Sequence, residues 1–361
     1  MDEHLLIQKY FSDIGSAFLA ERNVEIAVGD DASVISSSRN TQQINSLDTS
    51  IEGVHFLSSM SPEDIAYRSC VIALSDLAAC GARPKCYSIA ITLPQVEHSW
   101  LSSFSVGLQK FSDEYRIPLI GGDTTKGKLS ITVQVMGEVD SNKAILRSTA
   151  KENQLIFVSG IIGNAYLGLK ELSDNTGTDS YSKAYLKPKA HIDLGLKLSD
   201  IASACIDISD GLLQDLNLIC QSSNVGAEIY LEKIPTSISE KSLELINSGD
   251  DYELCFTVDE DKYEELMNVS KILNIPITLI GKTSPSKDLI LYDVDKAALG
   301  ISTAVNVSGF VTATRAQVGT GVTINNTGID MGIGGIGIVT TGTVVCLLYT
   351  SPSPRDRQKS R

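Results

Sequence analysis

The sequence predicts an α+β protein, strands and helices mixed, in two domains followed by a tail of different composition. Three observations carry this. Strand-like and helix-like segments alternate through residues 4–297 instead of segregating into blocks. A polar, irregular stretch, DSNKAILRSTAKEN at 140–153, interrupts them and separates 1–140 from 150–297. From residue 298 the chain becomes rich in Gly, Thr, Val and Ile and nearly free of charge until its end, so 298–361 reads as an atypical tail. At 361 residues the chain is long enough for two domains with a large core.

In order, residues 4–21 read as an amphipathic helix, and 25–57 as strands and turns, with INSLDTSI a strand that reaches Asp48. The clearest helix follows in SPEDIAYRSCVIALSDLAACGARP. Ser61 is its N-cap, Pro62 its first residue and Asp64 the acid three positions on, while Gly81 and Pro84 end it. CYSIAITLP is a strand, 97–115 a helix, and LSITVQVMGEV a further strand. The second domain opens with the apolar strand QLIFVSG. It holds the strand–turn–helix ACIDISDGLLQDLNLIC and the stretch SGDDYELCFTV, and it ends near LILYDVDKA at 289–297. In the tail, GFVTAT at 309–314 is echoed by GIVTT at 337–341, a weak β-repeat, and YTSPSPRDRQKSR reads as disordered.

A net charge of −14 argues against nucleic acid as a partner and is compatible with divalent cations. The seven cysteines form no C-x-x-C pair and most lie in apolar runs, which suits small core residues in a reducing, cytoplasmic setting and disfavours zinc. No stretch reads as a signal peptide or a membrane span, so no membrane partner is expected.

The acids stand out. Asp30 and Asp31 are adjacent in AVGDDASVI, either as turn chemistry or as a cation site. Asp76 lies inside the clear helix with Ile72, Ala73, Ala79 and Cys80 on its face, so it needs a cation, an arginine or a capping bond. Asp123 follows two glycines in LIGGDTTKGK, where backbone could approach a ligand. GDTTKGKL mimics a phosphate-binding loop but lacks its final Ser/Thr and runs into a strand, so that reading is rejected. Asp207 and Asp210 sit at a strand end before a helix, as N-caps or beside a bound anion. The histidines are scattered and no G-x-S-x-G elbow occurs. Oxygen-only ligands suit Mg²⁺, which commonly bridges carboxylates and phosphates.

VGDDASV, LDTSIEGVHF, ALSDLAACGARP, LIGGDTT, IDISDGLLQDL and SGDDYELCF, in this order over residues 4–295, resemble the thiamine-monophosphate kinases of the aminoimidazole-ribotide synthetase and selenophosphate synthetase superfamily. The resemblance implies a two-domain aminoimidazole-ribotide-synthetase-like fold whose N-terminal domain binds ATP and magnesium and forms a homodimer. It also implies transfer of the γ-phosphate of ATP to thiamine monophosphate, giving thiamine diphosphate, the final step of that biosynthesis, with several Mg²⁺ ions and no protein nucleophile. The metal ligands it implies are Asp30, Asp31, Ser46, Leu47, Asp48, Asp76, Asp123, Asp207 and Asp210. Leu47 stands where the family often has threonine, so only its backbone carbonyl could serve. ATP contacts carry over to Gly122, Asp123, Arg147 and Ser209, and thiamine contacts to His55 and to Asp250, where the family often has glutamate. The tail departs from the family and reads as a kinase chain cut near 297 and joined to sequence of another origin. The alternatives are a binding-only relic lacking its family C-terminus and a sister ATP-dependent synthetase.

Overall fold

The computed structural model describes residues 3–174, 180–293 and 298, and five short strands between 315 and 345. The chain falls into two compact units, 1–301 and 302–361.

The first unit opens with helix α1 (Glu3–Tyr10). The expected helix over 4–21 stops there and gives way to turns and a short 3₁₀ helix, Ser16–Phe18. Gly15 keeps a helix from running on to 21. It sits at φ +65, and a Cβ there would lie 2.8 Å from the Ile117 carbonyl oxygen. A small hairpin, β1 (Val24–Ile26) and β2 (Val34–Ile35), carries Asp30 and Asp31 in its connection. Next come β3 (Thr41–Ile51), helix α2 (Pro62–Ala79), β4 (Arg83–Leu93), helix α3 (His98–Tyr115), β5 (Leu119–Lys126) and β6 (Ser130–Asp140). The α2 signals are where the sequence put them. Ser61 Oγ accepts from the Asp64 amide at 3.1 Å, Pro62 leads, and Gly81 stops the helix at φ +68.

These strands form a sheet in the order β3-β6-β4-β5, antiparallel except for the β4–β5 pair. Alternation along β6 buries Ile131, Val133, Val135 and Val139 with Tyr87, Ile89 and Ile91 of β4 and with Leu74, Leu77, Phe104 and Phe111 of α2 and α3. The opposite face carries a ladder of hydroxyls, Thr49 to Thr132 and Thr92 to Thr125, with exposed Leu47 beside it. At one end of that face the hairpin region covers Cys86 and Ile120.

A short 3₁₀ turn, Arg147–Thr149, leads into the second layered body. It contains β7 (Leu155–Ser159), α4 (Asn164–Asp174), α5 (Ser182–Leu186), α6 (Ile192–Leu198), β8 (Ala202–Asp207), α7 (Leu212–Ser223), β9 (Gly226–Tyr230), α8 (Ser242–Leu245), β10 (Leu254–Val258), α9 (Tyr263–Leu273), β11 (Ile277–Ser284) and β12 (Leu289–Tyr292). Its sheet runs β12-β9-β11-β7-β10-β8, with only the β12–β9 pair parallel. The unbroken apolar runs LIFVS and LCFTV are strands covered on both faces. Ile156 and Val158 face α7, and Leu155 and Phe157 face α6 and α9. Helix α2 belongs to both bodies, since Leu74 and Leu77 enter the first core while Ala78 and Ala79 enter the second. Gly195 of α6 makes that junction possible, because a Cβ there would stand 2.1 Å from the Ala78 carbonyl oxygen.

In the second unit, Arg315–Val318, Val322–Asn325 and Gly328–Met331 form an antiparallel three-stranded sheet, and Ile338–Thr340 pairs with Thr343–Val345. The 309–314 half of the expected repeat and the C-terminal segment expected to be disordered lie outside the described residues. Among the described residues no helix is long and apolar enough to cross a membrane.

Candidate active site

Three elements from both bodies meet at one cluster of acids. On β3 the register pairs Ser46 with Val135 and Asp48 with Val133, so both side chains lie on the helix-covered face. There Ser46 Oγ donates to Asp76 Oδ2 of α2 at 2.5 Å. Asp76 therefore has a hydroxyl partner, and among the described residues it makes no ion pair with lysine or arginine. Asp207, the last residue of β8, closes the cluster and is 4% exposed. Burial, and then the Asp76 carboxylate, hold Asp207 well above the usual carboxylate range, and Asp48 adds to the effect. Next to it, the buried Ser75 hydroxyl of α2 lies against Asp207 and works against that rise. Arg147 reaches the same region. At the end of α2, burial and the Asp76 charge push the Cys80 thiol up to about 11, while Arg147 opposes them.

Converging carboxylates, two hydroxyls and no thiolate or imidazole make an oxygen donor set that fits a hard cation such as Mg²⁺. Among the described residues, no three His, Cys, Asp or Glu side chains are drawn together tightly enough to hold an ion. The oxygen-only donors and the crowded negative charge around Asp207 are the features that favour one.

The remaining expected ligands are placed differently. Leu47 is 64% exposed and points to the other face of β3 from Ser46 and Asp48, so its side chain takes no part. Asp30 and Asp31 are exposed, and Asp30 Oδ1 accepts from the Asp31 amide at 2.7 Å, the turn chemistry. Gly122 and Asp123 lie on β5, the opposite edge of the sheet from β3. Three interstrand spacings, about 14 Å, separate the two edges. Asp123 is in register with Ala90 and Thr132 on the uncovered face. One chain does not bring Asp123 to Asp48 and Asp76. The glycine argument also changes. A Cβ on Gly122 would stand 1.9 Å from the Ile89 carbonyl oxygen, so this glycine serves the neighbouring strand.

The loop after β8 holds Ser209 and Asp210. Its amides do not form an open anion site. The N–H groups of Ser209, Asp210 and Gly211 all donate to Asp215 Oδ2, at 3.0, 3.0 and 3.2 Å. Burial pushes the Asp215 carboxyl up to about 7, against those three donors. The SGDDYE stretch braces the same loop, with the Asp250 amide on the Ser209 carbonyl at 2.9 Å and the Tyr252 amide on Ile208 at 2.9 Å.

His55 follows β3, and its Nδ1 accepts from the Ile51 amide at 3.0 Å. Asp250 sits at φ +66, and its Oδ1 accepts from Arg68 Nη2 at 2.7 Å and from the Tyr252 hydroxyl at 3.0 Å. Arg68 and Asp215 are the residues that sequence reasoning missed. A signal for Arg68 was present: an arginine in the middle of an apolar helix is paired or it is not there. Asp215 gave only an acid in a first helical turn, which many helices have.

Comparison with known proteins agrees with this layout. The AIR synthase related protein N-terminal domain model matches residues 29–139, and its C-terminal domain model matches 146–294. The thiamine-monophosphate kinase of Haemophilus influenzae is 41% identical over 295 residues, 78% of this chain and 89% of that one. The crystal structure of thiamine-monophosphate kinase from Stenotrophomonas maltophilia K279a superposes with a TM-score of 0.73 at 34% identity, covering 77% of this chain and 94% of that one. The structure "AaThiL complexed with AMPPCP and TMP" gives 0.65 at 26% identity over 78% and 94%.

Proposed function

We propose, on the premise that the chain belongs to the thiamine-monophosphate kinases of the AIR synthase related family, that the cluster of Ser46, Asp48, Asp76 and Asp207 is where it carries out that reaction. The protein phosphorylates thiamine monophosphate with ATP, giving thiamine diphosphate and ADP. A phosphate oxygen of thiamine monophosphate forms a bond to the γ-phosphorus while the bond to the β,γ-bridging oxygen breaks, and ADP leaves with that electron pair. Such a transfer needs positioning and charge compensation, with no protein nucleophile.

Ser46, Asp48, Asp76 and Asp207 are the residues that would hold Mg²⁺, with Asp210 on the adjoining loop. Bound there, Mg²⁺ would supply positive charge against the phosphate oxygens. Arg147, near enough to Cys80 at the end of α2 to act on its thiol, is the guanidinium for phosphate, and the Asp215 clasp holds Ser209 in the loop after β8. His55 and Asp250 bind the thiamine end.

A homodimer belongs to this reading. The uncovered face of the first sheet carries Leu47, Ala90 and Asp123, and among the described residues of the first unit β3 leaves its outer edge unpaired. A second copy on that face accounts for an Asp123 about three strands away from Asp48 in its own chain. The cytoplasm suits the six free cysteines among the described residues, five of them buried.

The observation that carries the reading is Asp76 and Asp207, from two family domains, crowding one buried point. Release of ADP in a coupled assay, dependent on both thiamine monophosphate and Mg²⁺, is expected. ATP binding without turnover would overturn it.

A further inference from the structure

We propose that Arg68 and Tyr185 are positioning residues that hold His55 and Asp250 at a set separation for the thiamine end of the substrate. This deepens the kinase reading and rests on it.

Arg68 is 2% exposed, on the face of α2 turned to the second body. Its Nη2 meets Asp250 at 2.7 Å and its Nη1 donates to the Tyr185 carbonyl at 2.6 Å. The guanidinium lies over the Tyr185 ring, 4.0 Å from its centre. The hydroxyl of that tyrosine then donates to the His55 carbonyl at 3.1 Å. One chain of contacts thus runs His55, Tyr185, Arg68, Asp250, joining the β3–α2 region to two segments more than 100 residues further on.

Three details favour positioning over simple cohesion. Arg68 Nε is buried without a hydrogen-bond partner. A guanidinium placed only for stability would satisfy all its donors, whereas this one leaves Nε unmet while Nη1 and Nη2 are aimed. Asp250 is kept at φ +66, an uncommon conformation for a residue with a side chain. Arg68 and Tyr252 both bind its Oδ1, so among the described residues the other oxygen is left to a ligand. The Asp250 side chain is 25% exposed and the Arg68 side chain 2%, so the pair presents its acid outward from a buried anchor. A carboxylate so held is a counter-ion for a cationic heterocycle such as thiazolium.

The test is steady-state kinetics on full-length wild type, Tyr185→Phe and Arg68→Lys, with thiamine monophosphate and ATP varied separately. Tyr185→Phe keeps the ring under Arg68 and removes only the hydroxyl. Its KM for thiamine monophosphate is expected to rise roughly five- to tenfold, with kcat and the KM for ATP within about twofold. Arg68→Lys keeps the charge and loses the two-armed grip, and is expected to raise the same KM further. Wild-type KM values in Tyr185→Phe, or both KM values rising together, would overturn the proposal even if Arg68→Lys fails to fold. An inactive wild type would instead overturn the kinase reading.

Discussion

Replacing Asp76 by Asn should move stability and activity in opposite directions. Asp76 and Asp207 are like charges at one buried point, and Asp207 is already held above its usual range by burial and by Asp76. Two neighbouring carboxylates at an effective dielectric of about 20 repel by about 3 kcal/mol. Asparagine removes that repulsion and still offers Ser46 an oxygen. The weaker hydrogen bond costs about 1 kcal/mol. The metal-free variant should therefore be more stable by about 2 kcal/mol, raising Tm by a few °C. The sign with pH follows. An acid whose folded pKa is raised contributes stability that is present at low pH and lost as pH rises through the raised value. The gain of Asp76→Asn should accordingly be largest near pH 9 and small near pH 5. Turnover should fall by about 100-fold or more, since the charge that would hold Mg²⁺ is gone. Saturating Mg²⁺ should stabilise wild type by about 2–3 kcal/mol and the variant much less. Thermal unfolding in EDTA and in Mg²⁺ across that pH range, with ADP release measured alongside, checks all of this. A metal-free variant that melts below wild type at high pH, or one that turns over normally, refutes the reasoning.

Three further outcomes test the placement of the site. Gly195→Ala puts a Cβ 2.1 Å from the Ala78 carbonyl oxygen, two residues beyond Asp76. It should cost about 1–3 kcal/mol in thermal unfolding and lower kcat by prising α2 from the second body. Asp215→Ala strips three loop amides of their acceptor and should raise the KM for ATP by about tenfold, whereas Asp215→Asn, which keeps an acceptor, should change it far less. Asp76→Asn and Asp123→Asn should each be inactive alone. If Asp123 acts across a two-fold dimer, co-refolding the two should restore about a quarter of wild-type activity, because half the dimers are mixed and each has one intact site. No recovery would place both residues in one chain's site.

How much was legible follows from the range of each interaction. The cap, first residue and stop of α2 are local chemistry, and Ser61, Pro62 and Gly81 do what their types dictate. Asp76 was legible because a carboxylate on an apolar face advertises a missing partner. The same logic applied to Arg68 would have found the Asp250 pair, but its partner lies 182 residues away and no spacing rule reaches that far. The 4–21 helix failed for a tertiary reason. Its amphipathic pattern continues past Gly15, but the backbone there must pass within van der Waals contact of Ile117 and Pro118. Asp123 shows the deepest limit. Motif order along the chain says nothing about strand order across a sheet, and β5 follows β4 in sequence yet lands on the far edge from β3. A list of acids read from one sequence therefore reads as one ring, where the fold makes a cluster on one face and a separate acid on the other. Within one chain, β3 and β5 hold those acids on opposite edges and opposite faces of the sheet.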